Sequence, residues 1–176
     1  MARPAPRSST SLPPRMQRLL REARALLVGC AALLLAAILL THHAADPGFS
    51  TTGDGGMVNN LGGHIGAWLS DLLLLLFGLS AWWWLVLAAG YVIHTFRHLD
   101  DTPLADRRQR WVRLGGFGLL LLASTGVEWL RTWHWTVALP DAHGGVLGTW
   151  VGGAAGALFG FTGGSLILLL LMAVGF

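Results

Sequence analysis

A chain of 176 residues that is 53% apolar and 12% charged does not have the composition of a soluble domain of this size. Its net charge of +3 rests on Arg alone, for the sequence has no Lys, and most of the positive excess lies beside the first apolar stretch. There it sets topology and attracts anionic lipid, which argues against a nucleic-acid-binding patch.

Residues 1–24 read as a basic cytoplasmic tail. Met1 to about Pro14 is Pro, Ser and Arg, cannot bury a core, and is expected to be disordered. Arg18, Arg21 and Arg24 then lead into the first span. A hydrocarbon core of ~30 Å needs roughly 20 apolar residues per helix. Four stretches meet or approach that length, at about 25–41, 68–94, 114–130 and 146–176, so 25–176 reads as one all-α integral membrane domain. The first span reads as an uncleaved anchor, because His43 occupies the −3 position before Ala44-Ala45-Asp46 and the apolar core is long for a cleaved signal.

Ala45-Asp46-Pro47-Gly48 is a turn signal. It opens a loop to Gly63 long enough to be functional or disordered. Gly62 to Asp71 is predicted as a short surface helix with Trp68 at the interface, after which the chain crosses to His94. Asp71 reads as a rim residue able to cap the first turn. Trp82-Trp83-Trp84 lies mid-span and points in three directions, so at least one Trp packs on another helix or all three face lipid. Asp100-Asp101-Thr102-Pro103 suits the start of a short helix. Beyond the third span, Trp129, Trp133 and Trp135 form an aromatic belt, and Glu128 and Arg131 are spaced to pair at the surface.

Arg97, Arg107, Arg108, Arg110 and Arg113 flank the segment between spans two and three, whereas the loop between spans one and two has neither Lys nor Arg. Basic residues in short loops stay on the cytoplasmic side. Both termini are therefore expected inside and both Gly-rich loops outside.

Residues Gly62 to Gly78 return, altered, at Gly144 to Gly160. A shift of 82 sets Gly62, Gly63, Gly66, Trp68, Phe77 and Gly78 on Gly144, Gly145, Gly148, Trp150, Phe159 and Gly160. A fixed-period match means duplicated architecture, here two helical hairpins in parallel repeat. In the fourth span Gly148, Gly152, Gly156, Gly160 and Gly164 recur every four residues. Such a stripe lets helix backbones approach closely in lipid, within or between subunits; the other reading makes Gly145 to Gly153 loop. The chain ends still apolar at Phe176, opposite His94 in the repeat, so the native protein is expected to continue.

Sites for chemistry are few. His42, His43 and Asp46 could be drawn as an outer metal site, with His64, His134 and His143 in reserve, but adjacent His residues seldom face one ion. No metal or cofactor is expected in these residues. The lone Cys30 excludes an internal disulfide. Without Lys no Gly-x-x-x-x-Gly-Lys-Ser/Thr loop exists, no nucleophile elbow occurs, and no enzyme is identifiable here. A small transporter or channel subunit is the alternative function, since repeated hairpins with broken Gly-rich helices occur there too.

Ala45-Asp46-Pro47-Gly48-Phe49-Ser50, then Asn60-Leu61-Gly62-Gly63-x-x-Gly66-Ala67-Trp68-Leu69-Ser70-Asp71 with Phe77-Gly78, and Gly144-Gly145-Val146-Leu147-Gly148 resemble, in order, segments of the FtsK/SpoIIIE-family DNA translocases. The resemblance covers roughly Arg18 to Phe176. It marks Asp46, Pro47, Ser50, Gly62, Gly63, Gly66, Trp68, Asp71, Gly78, Gly144, Gly145 and Gly148 as family-motif positions. It implies a four-helix domain that anchors a DNA pump in the bacterial inner membrane at the division septum. Its partners would be membrane lipid, septal division proteins and further copies of itself. ATP, magnesium and DNA would bind only in a motor region absent from these residues. Gly48-Phe49 stands where a Ser-Trp pair is common in the family.

Overall fold

The computed structural model describes residues 13–97, 107–131 and 143–176. The expectations for the first twelve residues, for a short helix at Asp100 to Pro103 and for belt residues Trp133 and Trp135 lie outside the described residues. Five helices follow in order, and no strand occurs among the described residues: α1 (Pro14–Leu40), α2 (Gly63–Phe77), α3 (Trp83–Arg97), α4 (Arg107–Arg131) and α5 (Gly145–Gly175). A short 3₁₀ segment, Gly78–Trp82, joins α2 to α3.

α1 starts where Pro14 fits the first helical turn, its missing N–H costing nothing there. It runs without interruption into the apolar stretch and stops at Thr41, whose hydroxyl donates back to the Ala37 carbonyl at 2.7 Å. Among the described residues three helical stretches are long and apolar enough to cross a membrane, Arg15–Leu40, Gly63–Arg97 and Gly145–Gly175. Most residues of each remain on the surface, Leu27, Leu33, Leu166 and Val174 among them, and such faces require lipid. α4 falls short of that apolar content because Gly115, Gly116, Gly118, Ser124, Thr125, Gly126 and Glu128 dilute its Leu run.

The second and fourth of the predicted spans are not single straight helices. Gly78 (φ 58°, ψ −142°) and Gly160 (φ 68°, ψ 177°) both hold conformations open essentially to glycine alone, and each breaks its helix. A Cβ added to Gly164 would lie 2.9 Å from the Ala155 carbonyl oxygen. Nine residues of straight helix span ~13 Å, so α5 folds back sharply at Gly160. The segments after the breaks run antiparallel to a neighbour. Val92 of α3 reaches Gly29 of α1, and Gly175 of α5 lies against Gly116 and Leu120 of α4.

The segments before the breaks lie differently. Gly66 and Leu74 are two turns apart on α2, yet Gly66 approaches Ile38 and Leu74 packs with Leu39, adjacent residues on α1. α2 therefore crosses the end of α1 rather than running beside it. Its register extends the predicted surface helix from Asp71 to Phe77. The first half of α5 crosses α4 less steeply, with Gly148 at Thr125, Gly152 at Gly126 and Trp129, and Gly156 at Leu130. Each repeat is thus one helix up, one crossing helix, a glycine break and one helix back. The apolar packing falls into two clusters to match, Leu39, Leu74 and Ala81 in one and Ala123, Leu130, Ala155 and Leu168 in the other.

Candidate functional site

The polar residues gather at the loop end of the bundle, in two groups. The first organises the connection between α1 and α2. Asp46 is buried, and its carboxylate accepts from the Asn59 N–H (2.8 Å), the Asn59 side chain (3.1 Å) and the Asn60 N–H (2.8 Å). Asn60 in turn donates to the Ile38 carbonyl at 2.8 Å and accepts from the Gly62 N–H at 2.9 Å. It thereby satisfies a carbonyl left over at the end of α1 and fixes the start of α2. The loop is closed by its own side chains, as compact surface loops are.

Asp71 does not cap its own helix. Buried on α2, it reaches back across the loop and accepts from the Ser50 N–H at 2.6 Å and the Ser50 hydroxyl at 3.0 Å. Gly48 lies so close that a Cβ there would meet the Asp71 carboxylate at 2.6 Å. Phe49 stacks edge-on against Trp68 with ring centroids 5.6 Å apart. His42 turns to the Ser70 hydroxyl, 3.2 Å away, while His43 receives the Ala45 N–H. The two imidazoles thus diverge, and among the described residues no group of three His, Cys, Asp or Glu side chains could hold a metal.

The hydrogen bonds set the ionisation of this group. The Asn59 N–H bond, supported by the bonds from the Asn60 N–H and the Asn59 side chain, holds the Asp46 carboxyl below its usual range despite burial. For His42 burial is the larger influence and lowers the imidazole, against the upward pull of Asp71 and Asp46.

The second group serves the break at Gly78. Glu128, on α4 and buried, accepts from the Leu79 N–H (2.8 Å), the Ser80 N–H (3.0 Å) and the Ser80 hydroxyl (3.0 Å). These N–H groups belong to the first turn after the break, where a helix offers unpaired donors and a partial positive charge. The Ser80 hydroxyl also meets that of Ser124 at 2.8 Å, and Trp83 Nε1 donates to Ser124 at 2.9 Å. A Cβ at Gly78 would strike Glu128 Oε1 at 2.5 Å and the Gly144 nitrogen at 2.6 Å. Glycine is therefore needed at Gly78 for space as well as for its φ. The same α4 turn serves the second break differently. Arg131 Nε donates to the Ser165 hydroxyl at 3.2 Å and its guanidinium lies 5.2 Å from the centre of the Phe161 ring. The i, i+3 spacing of Glu128 and Arg131 thus places one residue at each break.

The Trp run packs inward on all three sides. Trp82 joins the Leu39 cluster, Trp83 bonds Ser124, and Trp84 sits edge-on to Phe117 and Phe77. The glycine stripe divides. Gly148, Gly152 and Gly164 meet backbone atoms, Gly156 meets the flexible tip of Leu130, and Gly160 stands at the bend with no described residue within 4 Å of where its Cβ would lie. Pro47 lies in the Asp46 loop, where its backbone nitrogen and Cα sit under Gly53. Arg18 pairs with Glu22 at 3.0 Å on an exposed face of α1. Arg21 and Arg24 follow on the same helix, and Arg107, Arg108 and Arg110 open α4.

The sequence matches the family described as the 4TM region of DNA translocase FtsK/SpoIIIE over residues 17–176. It is similar to "DNA translocase FtsK 2" of Ralstonia nicotianae, 42% identical over an alignment of 173 residues that covers 94% of this chain and 22% of that protein. It is also similar to "DNA translocase FtsK" of Vibrio vulnificus, 32% identical over 89% of this chain and 16% of that protein. A third relative, from Pseudomonas syringae pv. tomato, is 30% identical over 89% of this chain and 20% of its own length. No solved structure matches the chain. The chain spans between 16% and 22% of the length of these relatives.

Proposed function

The chain belongs to the FtsK/SpoIIIE DNA translocases as their 4TM region, and from that premise we propose that it anchors a translocase in the bacterial inner membrane at the division septum. There it would take part in assembling division proteins and serve cell division and chromosome segregation. DNA, ATP and magnesium would be handled by a motor region outside these residues. Both termini are proposed to face the cytoplasm, on the strength of the Arg distribution. The observation that carries the reading is the family match over nearly the whole chain, joined to three helical stretches long and apolar enough to cross a membrane.

Broken helices also occur in transporters, where the break holds substrate or a coupling ion. Here the Glu128 oxygens are occupied by Leu79 and Ser80 of the same chain, which favours a structural joint over an ion site. The test is to express residues 1–176 fused to a fluorescent protein in dividing bacteria. Enrichment at the septum is expected. Uniform labelling of the membrane would refute the septal reading while leaving the anchor intact.

A further inference from the structure

The two repeats meet at a junction whose two halves each recur elsewhere in the chain, unfilled among the described residues. Within the chain, Gly78 of the first repeat abuts Gly144, and Gly145 abuts the carbonyls of Leu75 and Leu76. The 82-residue shift maps Gly78 onto Gly160, Leu76 onto Leu158, and Gly144-Gly145 onto Gly62-Gly63. The backbone follows the mapping at two of these three glycine pairs, whereas Gly62 (φ −84°) departs from Gly144 (φ 78°). Gly63 and Gly145 have φ of 61° and 62°, and Gly78 and Gly160 have φ of 58° and 68°.

Yet among the described residues a Cβ at Gly63 or at Gly160 would meet nothing within 4 Å. Around Gly160 the apolar side chains of Leu158, Phe159 and Phe161 are exposed, and beside Gly63 so are Leu61 and Ile65. The chain therefore carries one used junction plus one unused copy of each half.

We propose that these halves join between molecules: the Gly160 bend of one copy seats on the Gly62-Gly63 start of α2 in the next, as Gly78 seats on Gly144-Gly145 within the chain. The occupant is a second copy, because the internal junction shows what covers each half. Each junction joins unlike surfaces, so association is head-to-tail and either closes a ring or extends. The external junction is the weaker of the two. The internal one gains the Glu128 bonds, whereas the last turn of α1, against which α2 starts, presents Ile38 and Thr41 and no carboxylate. Close approach of glycine-lined backbones is what van der Waals association in lipid requires. The proposal does not depend on the septal reading, so the two can fail separately.

Cysteines placed at the exposed sites Leu61 and Leu158, in a chain with Cys30→Ser, test it directly. Membranes holding the chain are treated with a bifunctional thiol crosslinker and resolved on a denaturing gel. The Leu61→Cys/Leu158→Cys chain is expected to give a ladder of dimers, trimers and larger species. Each single variant alone should stay monomeric, and the two single variants mixed should give dimers only. A Leu61→Cys/Val174→Cys chain, with its second thiol at the opposite end of the bundle, should give no ladder. Absence of a ladder from the first pair would overturn the proposal. So would single variants that link to themselves as efficiently, or a Val174 control that links as well as the test pair.

Discussion

Replacing Glu128 with Ala removes the shared acceptor for the Leu79 and Ser80 N–H groups and for the Ser80 hydroxyl. Hydrogen bonds to a charged group contribute about 1.5–3 kcal/mol each, and stranding a buried donor costs its full desolvation. Simple addition for the two backbone bonds gives about 3–6 kcal/mol. Ser80 can turn wholly to Ser124, and relaxation at the break recovers some of the rest, so a loss of about 3 kcal/mol is expected. Glu128→Gln keeps one carbonyl acceptor but turns an amide N–H₂ toward the second donor, and should fall between wild type and Ala. The assay is reversible unfolding in detergent micelles by SDS titration. A double-mutant cycle of Glu128→Gln with Ser80→Ala should show coupling of at least about 0.5 kcal/mol, as contacting residues do. If Glu128→Ala unfolds within about 0.5 kcal/mol of wild type, the size of a routine surface substitution, the carboxylate does not hold the break.

Three further outcomes follow from the geometry. Gly148→Ala should destabilise by about 1–3 kcal/mol, the usual overpacking cost, because its Cβ would sit 2.7 Å from the Thr125 carbonyl oxygen. Gly156→Ala meets only side chains, the Leu130 tip at 3.4 Å and the Trp129 ring at 4.0 Å, and should be neutral or gain up to about 1 kcal/mol from helix propensity; the same SDS titration separates the two. Trp84 Nε1 is buried without an acceptor among the described residues, so Trp84→Phe should cost less than Trp83→Phe, which breaks the bond to Ser124. The loop from Asp46 to Gly63 should loosen in two stages on acidification, read by protease cutting. Because burial lowers His42 in the fold, its protonation favours the open loop once pH falls below the unfolded value of about 6.5. Asp46 is held low, so its contribution is intact above the unfolded value of about 3.9 and is lost as pH falls through its lower folded value. Asp46→Asn should remove the acid stage, and His42→Gln the stage near neutrality.

The repeat was legible in the sequence because matched glycines are matched for a reason. Gly63 and Gly145, and Gly78 and Gly160, share unusual backbone angles across 82 residues. The breaks themselves were not legible. Within an apolar run a glycine that bends the chain has the same neighbours as one that packs, and Gly160 falls in step with Gly156 and Gly164. Nor do local rules show Glu128 reaching a donor 48 residues back, for i, i+3 spacing points it at Arg131. A signal existed: an ionisable residue beside an apolar span reads by default as a site with a partner. In the first loop Asp46 and Asp71 stood out through their family motifs. Their acceptor roles toward Asn59, Asn60 and Ser50 depend on how the loop folds back, which spacing alone does not fix.

The fate of these carboxylates bears on the choice between anchor and conduit. A conduit needs polar groups whose bonds can be exchanged for those of a passing ion, lining a path through the bilayer. Asp46, Asp71 and Glu128 instead sit at the loop end and accept two or three protein donors each, largely from backbone N–H groups that would otherwise stand unpaired. Releasing any of them would free a loop or a helix break rather than open a route. Below them α1, α3, α4 and the second half of α5 present mainly Leu, Val, Ala and Phe to one another and to lipid. The arrangement resists deformation at the surface where two crossing helices and a folded loop are displayed. On the proposed role as an anchor, the fluorescent fusion is expected at the septum even when Glu128→Gln has softened, without severing, the joint beneath.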